Sequence, residues 1–337
     1  MKRNYVSTRW QKGVAVITAL LLTTLAITIV ASLFWQQQVQ VRSIENQRLQ
    51  LQKKWILRGA IDWARLILRE DGKQSANVDH LGEPWAVTLA DTRLDQYVEN
   101  GRTENDDSDA SLSGQVSDAQ ALYNLNNLAT NGVADPREVI AFGRLLTNLR
   151  MDGQLADAVA VMIAQTQARL TTGPGSSTAE SGSGKSPSEE AFPEVQFLRF
   201  TQVDDLLAVS GFSPDMLAKL KSFVTVLPRK TEINVNTTSA EVLSARIEGV
   251  SMSDAAMMIA SRDRAYFLSL EDFKHRFEDK TKTVVDKDLA VATNFFIVNG
   301  KVKMNRSALD ISALIERTNT PITAGAETTS VLWVREN

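Results

Sequence analysis

The chain contains no cysteine. That excludes disulfides, thiolate-held zinc and a cysteine nucleophile. Stability must come from packing, or from a hard cation held by oxygen. Histidine is nearly as scarce. His80 and His275 are the two present, and they do not form a metal-ligand pair in sequence; a surface or capping role suits both. No Ser or Asp sits in a nucleophile elbow. The stretch AESGSGKS at 179–186 fits a relaxed phosphate-loop pattern. A working loop of that kind lies between a buried strand and a helix N-terminus, whereas this one has a Gly-Ser tract before it and Pro187 after it. No enzyme is expected. Positive charge is also in short supply. Residues 1–13 carry four cations and no acid, and without those four, 33 Lys and Arg face 40 Asp and Glu. That balance argues against a nucleic-acid partner, whose phosphates need a basic face.

A second absence is more informative. From Val14 to Trp35 there is no charged residue (VAVITALLLTTLAITIVASLFW). As a helix this run measures roughly 33 Å, enough to cross the hydrocarbon of a bilayer. Lys2, Arg3, Arg9 and Lys12 precede it, and residues 36–41 carry no cation, which predicts a cytoplasmic N-terminus with the bulk of the chain outside. Three readings fit the segment. A cleaved secretory signal would need a shorter apolar region and a small-residue cleavage site, but Ser32-Leu33-Phe34-Trp35 offers none. A plain membrane anchor explains the run and its flanks. The third reading rests on Lys12-Gly13-Val14, which looks like the leader end of a prepilin-like protein, cut after the Gly on the cytoplasmic side.

The helix signal continues beyond the apolar run. Residues 36–69 contain no Pro and one Gly, Gly59. Leu49, Leu51, Trp55, Ile56, Ala60, Trp63, Ala64 and Ile67 recur at spacings near three and four. One helix of about 55 residues is predicted, stopping near Asp71-Gly72. Strands are expected at 84–92 and 112–121. Helical patterns occupy Pro136–Leu149, Leu155–Leu170 and the stretch from Val203 to about Asp279, with a Gly-, Ser- and Pro-rich loop at 171–191. Beyond Val291 the pattern reads as strands, with a turn at Asn299-Gly300. At 337 residues there is chain enough for about two folded domains. The expected fold is α+β: a long N-terminal helix plus an antiparallel sheet, interrupted by a large all-helical inserted domain. Within that insertion, residues 207–213 and 247–251 share an apolar-x-Gly-apolar-Ser turn between helices, similar to helix-hairpin-helix modules. Many such modules grip phosphate, but neither turn here holds Lys or Arg, so a structural use is expected. The loop Glu99–Asp109 holds Glu99, Glu104, Asp106, Asp107 and Asp109. So many oxygens suit calcium, although the spacing is not an EF-hand and a solvated acidic loop fits as well.

These residues resemble the K-class minor pseudopilins of bacterial type II secretion systems. The likeness rests on KGVAVITALLL at the N-terminus, DHLGEPWA at 79–86, DAQALYNLNNL at 118–128, and EINVNTTSAEVLSARIEGVS at 232–251 followed by R-x-x-A-Y-F at 262–267. It covers nearly the whole chain except 171–191. It implies a leader at 1–13, a transmembrane helix portion at 14–35, a first pilin-like part at 36–124, an inserted helical domain at 125–289 and C-terminal strands at 290–337. It further implies cleavage by prepilin peptidase between Gly13 and Val14, and N-methylation at Val14. The implied setting is a single pass through the inner membrane with the bulk in the periplasm. The implied partners are other minor pseudopilins in a tip complex, and the major pseudopilin. Calcium is implied too, with Asp106, Asp107 and Asp109 as the ligands that composition suggests. Pilin-like proteins usually have Glu at the fifth mature position, and here that position is Thr18. The carboxylate normally offsets a neighbour's buried N-terminal amine, and a subunit with nothing above it would leave its own Glu an orphan. Thr18 therefore fits the tip of a pseudopilus; as an ordinary membrane-helix residue it would also suit a plain anchor. The competing readings are a membrane-anchored periplasmic binding module that never polymerises and, more remotely, a membrane-tethered DNA-handling protein.

Overall fold

The computed structural model describes residues 12–74, 77–94, 110–167, 198–304, 307–318 and 328–336. The acidic loop, the 171–191 tract and the first eleven residues lie outside them.

Helix α1 (Lys12–Gln74) runs 63 residues without a break, roughly 95 Å at 1.5 Å per residue. Every described side chain from Val14 to Arg48 is exposed. The helix then acquires a buried stripe at Lys53, Leu57, Ile61, Ala64, Leu68 and Asp71, steps of four or three that keep one face on the protein. This differs from the expected stripe. Ala64 lies at its centre and Leu49, Ile56 and Ile67 flank it, but Leu51, Trp55 and Trp63 are exposed. Two apolar faces share the helix, and the spacing alone did not separate them.

The buried face packs on a five-stranded antiparallel sheet of order β1 (Leu89–Arg93), β2 (Ala110–Asp118), β9 (Phe295–Met304), β10 (Ser307–Arg317) and β11 (Thr329–Glu336). Phe296, Val298, Val302, Ile311, Ala313 and Ile315 meet Leu57, Ile61, Ala64 and Leu68 in one core. Two expectations are corrected here. Residues 84–86 form a 3₁₀ turn that buries Trp85, so the first strand begins only at Leu89. Asn299-Gly300 is not a turn; β9 passes straight through it, with Gly300 opposite Gly114 of β2. A side chain at Gly114 would meet the Asn299 carbonyl oxygen at 2.7 Å, and one at Gly300 would press on Leu57 at 3.2 Å. The glycines let strand approach strand and helix approach sheet.

Between β2 and β9 the chain makes a long excursion with its own core. In chain order it holds β3 (Tyr123–Asn124), β4 (Ala129–Thr130), β5 (Val133–Ala134), α2 (Pro136–Asn148), α3 (Leu155–Gln165), α4 (Pro214–Leu220), β6 (Val224–Thr225), β7 (Ile233–Asn234), α5 (Ala240–Arg246), α6 (Met252–Arg264), α7 (Leu270–Arg276), α8 (Glu278–Thr281) and β8 (Leu289–Ala290). Phe142, Leu145, Val159, Ile163, Leu220, Val242, Leu243, Met258 and Phe273 fill its centre. Three two-stranded ladders, β3–β6, β4–β5 and β7–β8, tie the helices together. Because the β3–β6 and β7–β8 ladders bind Tyr123–Asn124 and Leu289–Ala290 into this part, the excursion leaves the sheet at Asp118 and returns at Phe295, somewhat outside the expected 125–289.

Candidate functional site

Three features could carry function: the projecting half of α1, the polar junction where the excursion meets the sheet, and the hairpins of the excursion.

Within the projecting part, the run from Val14 to Trp35 has Leu, Ile, Val and Thr on every face. Phe34 and Trp35 are about 70% exposed, and the run is long and apolar enough to cross a membrane. Its threonines turn their hydroxyls inward. Thr18 donates to the Ala15 carbonyl at 3.0 Å, and Thr23, Thr24 and Thr28 do likewise three residues back. Thr18 thus satisfies its own polar group within the helix and presents no charge. Gly13 and Val14 lie in the first turns of the same helix.

The junction is a buried polar network around Arg317, at the end of β10. Its guanidinium donates to Asp71 of α1 and to Asp79, each at 2.5 Å, and lies 4.8 Å over the Phe296 ring. Asp79 also accepts from the Thr293 amide at 2.7 Å. One residue of the excursion completes the set. Asn234 donates to the Asp79 carbonyl and to the Asp118 carboxylate, at 3.1 and 2.9 Å. Asp118 accepts further from the Gln120 amide and the Thr237 hydroxyl, and has no cationic partner among the described residues. Burial pushes its carboxyl above the usual range, against the hydrogen bonds from Thr237, Thr293, Gln120 and Asn234. Burial likewise pushes Asp79 up to about 7, opposed chiefly by Arg317.

Asp71, Asp79 and Glu83 bring carboxylate oxygens within 4.8 Å of one another, all buried. The donor set resembles a cation site, but Arg317 already stands on two of the three. Glu83 is taken by the Trp85 indole at 2.7 Å and the His80 amide. The cluster reads as an internal tie between helix end, loop and last strands. His80 stacks on Tyr266 of the excursion with ring centroids 3.8 Å apart, and its Nδ1 accepts from Gly82. His275 is exposed on α7. Neither contributes to a metal set among the described residues.

The hairpins are built as the pattern suggests. Gly211 and Gly249 take φ of +103° and +78°, a conformation that a side chain would strain. Ser213 and Ser251 follow as caps of α4 and α6. Arg262 of α6 donates to the Val235 and Thr238 carbonyls, and Asn236 pairs with the Phe267 backbone in both directions. The second hairpin is therefore bolted to the INVNTT segment that forms the junction. Asp106, Asp107 and Asp109 lie outside the described residues, in the connection from β1 to β2. Sequence reasoning missed Asp71, Asp79, Asn234 and Arg317 as one unit. Their types were unremarkable, and only folding brings them together.

A long helix, exposed over its first part with an apolar run at Val14 to Trp35 and packed on an antiparallel sheet further on, defines a pilin-like subunit, here enlarged by an insertion. The sequence model of the family described as type II secretion system (T2SS), protein K, matches residues 121–229 in its first part and 233–292 in a second. The chain belongs to the type II secretion system protein K family. It is similar to the type II secretion system protein K of Pseudomonas aeruginosa, at 29% identity over 88% of this chain and 86% of that one. The Aeromonas hydrophila protein of the same name is 27% identical over 76% of this chain and 77% of its own. Among solved structures, a chain of the GspK-GspI-GspJ complex from enterotoxigenic Escherichia coli shares the fold. The TM-score is 0.62 at 22% identity, covering 88% of this chain and 99% of that one.

Proposed function

We propose that this minor pseudopilin of a type II secretion system occupies the tip of the pseudopilus, and from there assists the export of folded proteins across the outer membrane. The observation that carries the reading is α1. Its first part, Val14 to Trp35, is uncharged, and every side chain there is exposed among the described residues. Its second half shows one apolar stripe to its own sheet and leaves Leu51, Trp55 and Trp63 outside. A lone protein gains nothing from the outer residues, whereas a subunit packed beside other helices does. Thr18 supports the end position, since it has no carboxylate to offer a neighbour's amine. The bulk of the excursion supports it as well, since repeats of it along a filament would collide.

In this reading prepilin peptidase cuts between Gly13 and Val14, and Val14 is then N-methylated. The N-terminus faces the cytoplasm across the inner membrane and the folded part lies in the periplasm. Other minor pseudopilins, as in the GspK-GspI-GspJ complex, and the major pseudopilin are its partners. The role is mechanical and not enzymatic, and no nucleic acid takes part. Calcium at Asp106, Asp107 and Asp109 would steady the β1–β2 connection, since oxygen-rich acidic loops suit hard cations. Chelation should then lower the melting temperature of the chain, and Asp106→Ala with Asp107→Ala should remove that response. A chelator effect that survives both changes moves calcium elsewhere.

The tip assignment is tested by counting copies per pseudopilus with crosslinking or labelled-subunit microscopy. One position per filament is expected. Thr18→Glu combined with removal of the excursion should admit more. Unaltered protein found along the filament body would refute the tip assignment. Protein found in no filament, yet bound to a periplasmic ligand, would favour the anchored binding module.

A further inference from the structure

A small cavity of about 140 Å³ lies beside the second hairpin, between α2, the turn after α5 and the approach to β8. Three arginines line it: Arg137 and Arg144 on α2, and Arg246 at the end of α5. The nearby acids are already engaged. Asp288 pairs with Arg137 at 2.5 Å and with Arg246 at 2.6 Å. Glu138 pairs with Arg246 at 2.7 Å, and also accepts from Tyr123 and faces Lys230. Burial works to lower the Arg246 pKa, and Glu138 and Asp288 outweigh it, holding the pKa above the ordinary value.

Arg144 is different. Among the described residues it has no ion-pair or hydrogen-bond partner, and its Nε is buried. The Nε of Arg246, a side chain only 4% exposed, is also buried without an acceptor. Burial lowers the Arg144 pKa; Glu248 acts against this and Arg246 with it. Glu248 lines the rim, but is exposed and makes no ion pair with Arg144. A half-buried cation without an ion-pair partner among the described residues, beside two further arginines on one small cavity, is costly unless an anion comes near.

We propose that this cavity is a site for a small oxyanion, a carboxylate or phosphate group, with Arg144 as its principal ligand and Arg246 and Arg137 as the wall behind it. A guanidinium presents its donors in a planar fork, which matches two oxygens of one such group. The volume is ample for such a group. Ile140, Val284 and Val285 form the apolar part of its lining. The same oxyanion chemistry can come from an acidic side chain of a bound protein or from a free ion.

The test uses the full chain in detergent, titrated with sodium phosphate and separately with sodium acetate, against sodium chloride at matched ionic strength. Binding is followed by calorimetry and by melting temperature. At least one of the two anions should bind above the chloride control. Phosphate alone would mark a free tetrahedral ion as the source, and acetate binding would mark a carboxylate such as a partner's acidic residue. Arg144→Gln should weaken binding by about tenfold or more, and Arg144→Lys, which keeps the charge but loses the fork, should fall between. Glu248→Gln removes the competing carboxylate and should tighten binding. That outcome is open even if an Arg144 variant folds poorly, and a purely structural Arg144 would not produce it. No response beyond chloride, or an equal response in Arg144→Gln and the parent, overturns the proposal. So does a Glu248→Gln variant that binds no better.

Discussion

One guanidinium at the junction faces more negative charge than it can balance. Arg317 pairs with Asp71 and Asp79, and Asp118 lies close enough to raise Asp79 further. Asp79 is pushed from the ordinary 3.8 to about 7. Across roughly pH 4.5–6.5 the unfolded chain has therefore lost the Asp79 proton while the folded chain keeps it. Folding takes up a proton in that window, so stability falls as pH rises and levels off above the folded pKa. One pKa unit is worth about 1.4 kcal/mol, so two pH units cost about 2.7 kcal/mol from this residue. For a chain of 337 residues that is about 3–5 °C in melting temperature. Asp135, Asp254 and Asp272 are shifted the other way and act below the window. Asp118 and Glu232 are raised by burial and add to the same trend. Comparison with Asp79→Asn isolates the one residue, since the amide cannot titrate. Melting of the full chain in detergent at half-unit pH steps should show a steeper fall for the parent than for the variant. Identical slopes, or a parent that gains stability from pH 4.5 to 6.5, would refute the charge reasoning at this junction.

Three further outcomes are expected. Asn234→Ala removes two bonds that join the excursion to Asp79 and Asp118; denaturant unfolding should report a loss of about 1–3 kcal/mol, the cost of unmet buried polar groups. Gly114→Ala forces a methyl against the Asn299 carbonyl and should cost about 1–3 kcal/mol by overpacking, measured the same way, while Gly59→Ala, with open space around it, should not destabilise. Gly13→Val should block maturation, so that mass spectrometry after co-expression with prepilin peptidase finds an intact leader on the variant and a chain beginning at Val14 on the parent.

Much of the fold was legible because it rests on local patterns. The unbroken apolar and amphipathic run of α1, the glycine and serine positions of the hairpins, and the return to strands after Val291 each follow from a short-range rule. The failures have physical causes. Asn-Gly is a strong hairpin signal, yet here the Gly serves the close approach of Leu57 and the facing strand. The helix stop expected near Asp71-Gly72 holds to within two residues, since α1 ends at Gln74, but nothing local shows that Asp71 is held by a cation 246 positions away. Trp55 and Trp63 share helical spacing with the buried stripe, so period alone could not say which face meets the sheet. The junction was invisible, since Asp79, Asp118, Asn234 and Arg317 form a set only through the topology.

That topology governs the order of folding events. Ser117 and Ile297 are register partners on neighbouring strands, 180 positions apart. Closing a flexible loop of that length costs several kcal/mol in chain entropy before a single ladder bond is made. If the excursion collapses first, its own core brings Asp118 and Phe295 together, and the strands then zip with little further loss. On that order the sheet is the late event, and the β2 edge that pairs with β9 stays open until β9 arrives. An open edge in a crowded compartment invites pairing with the wrong strand. The speed with which the inserted core forms sets how long the subunit is exposed to misassembly before its long helix can be used.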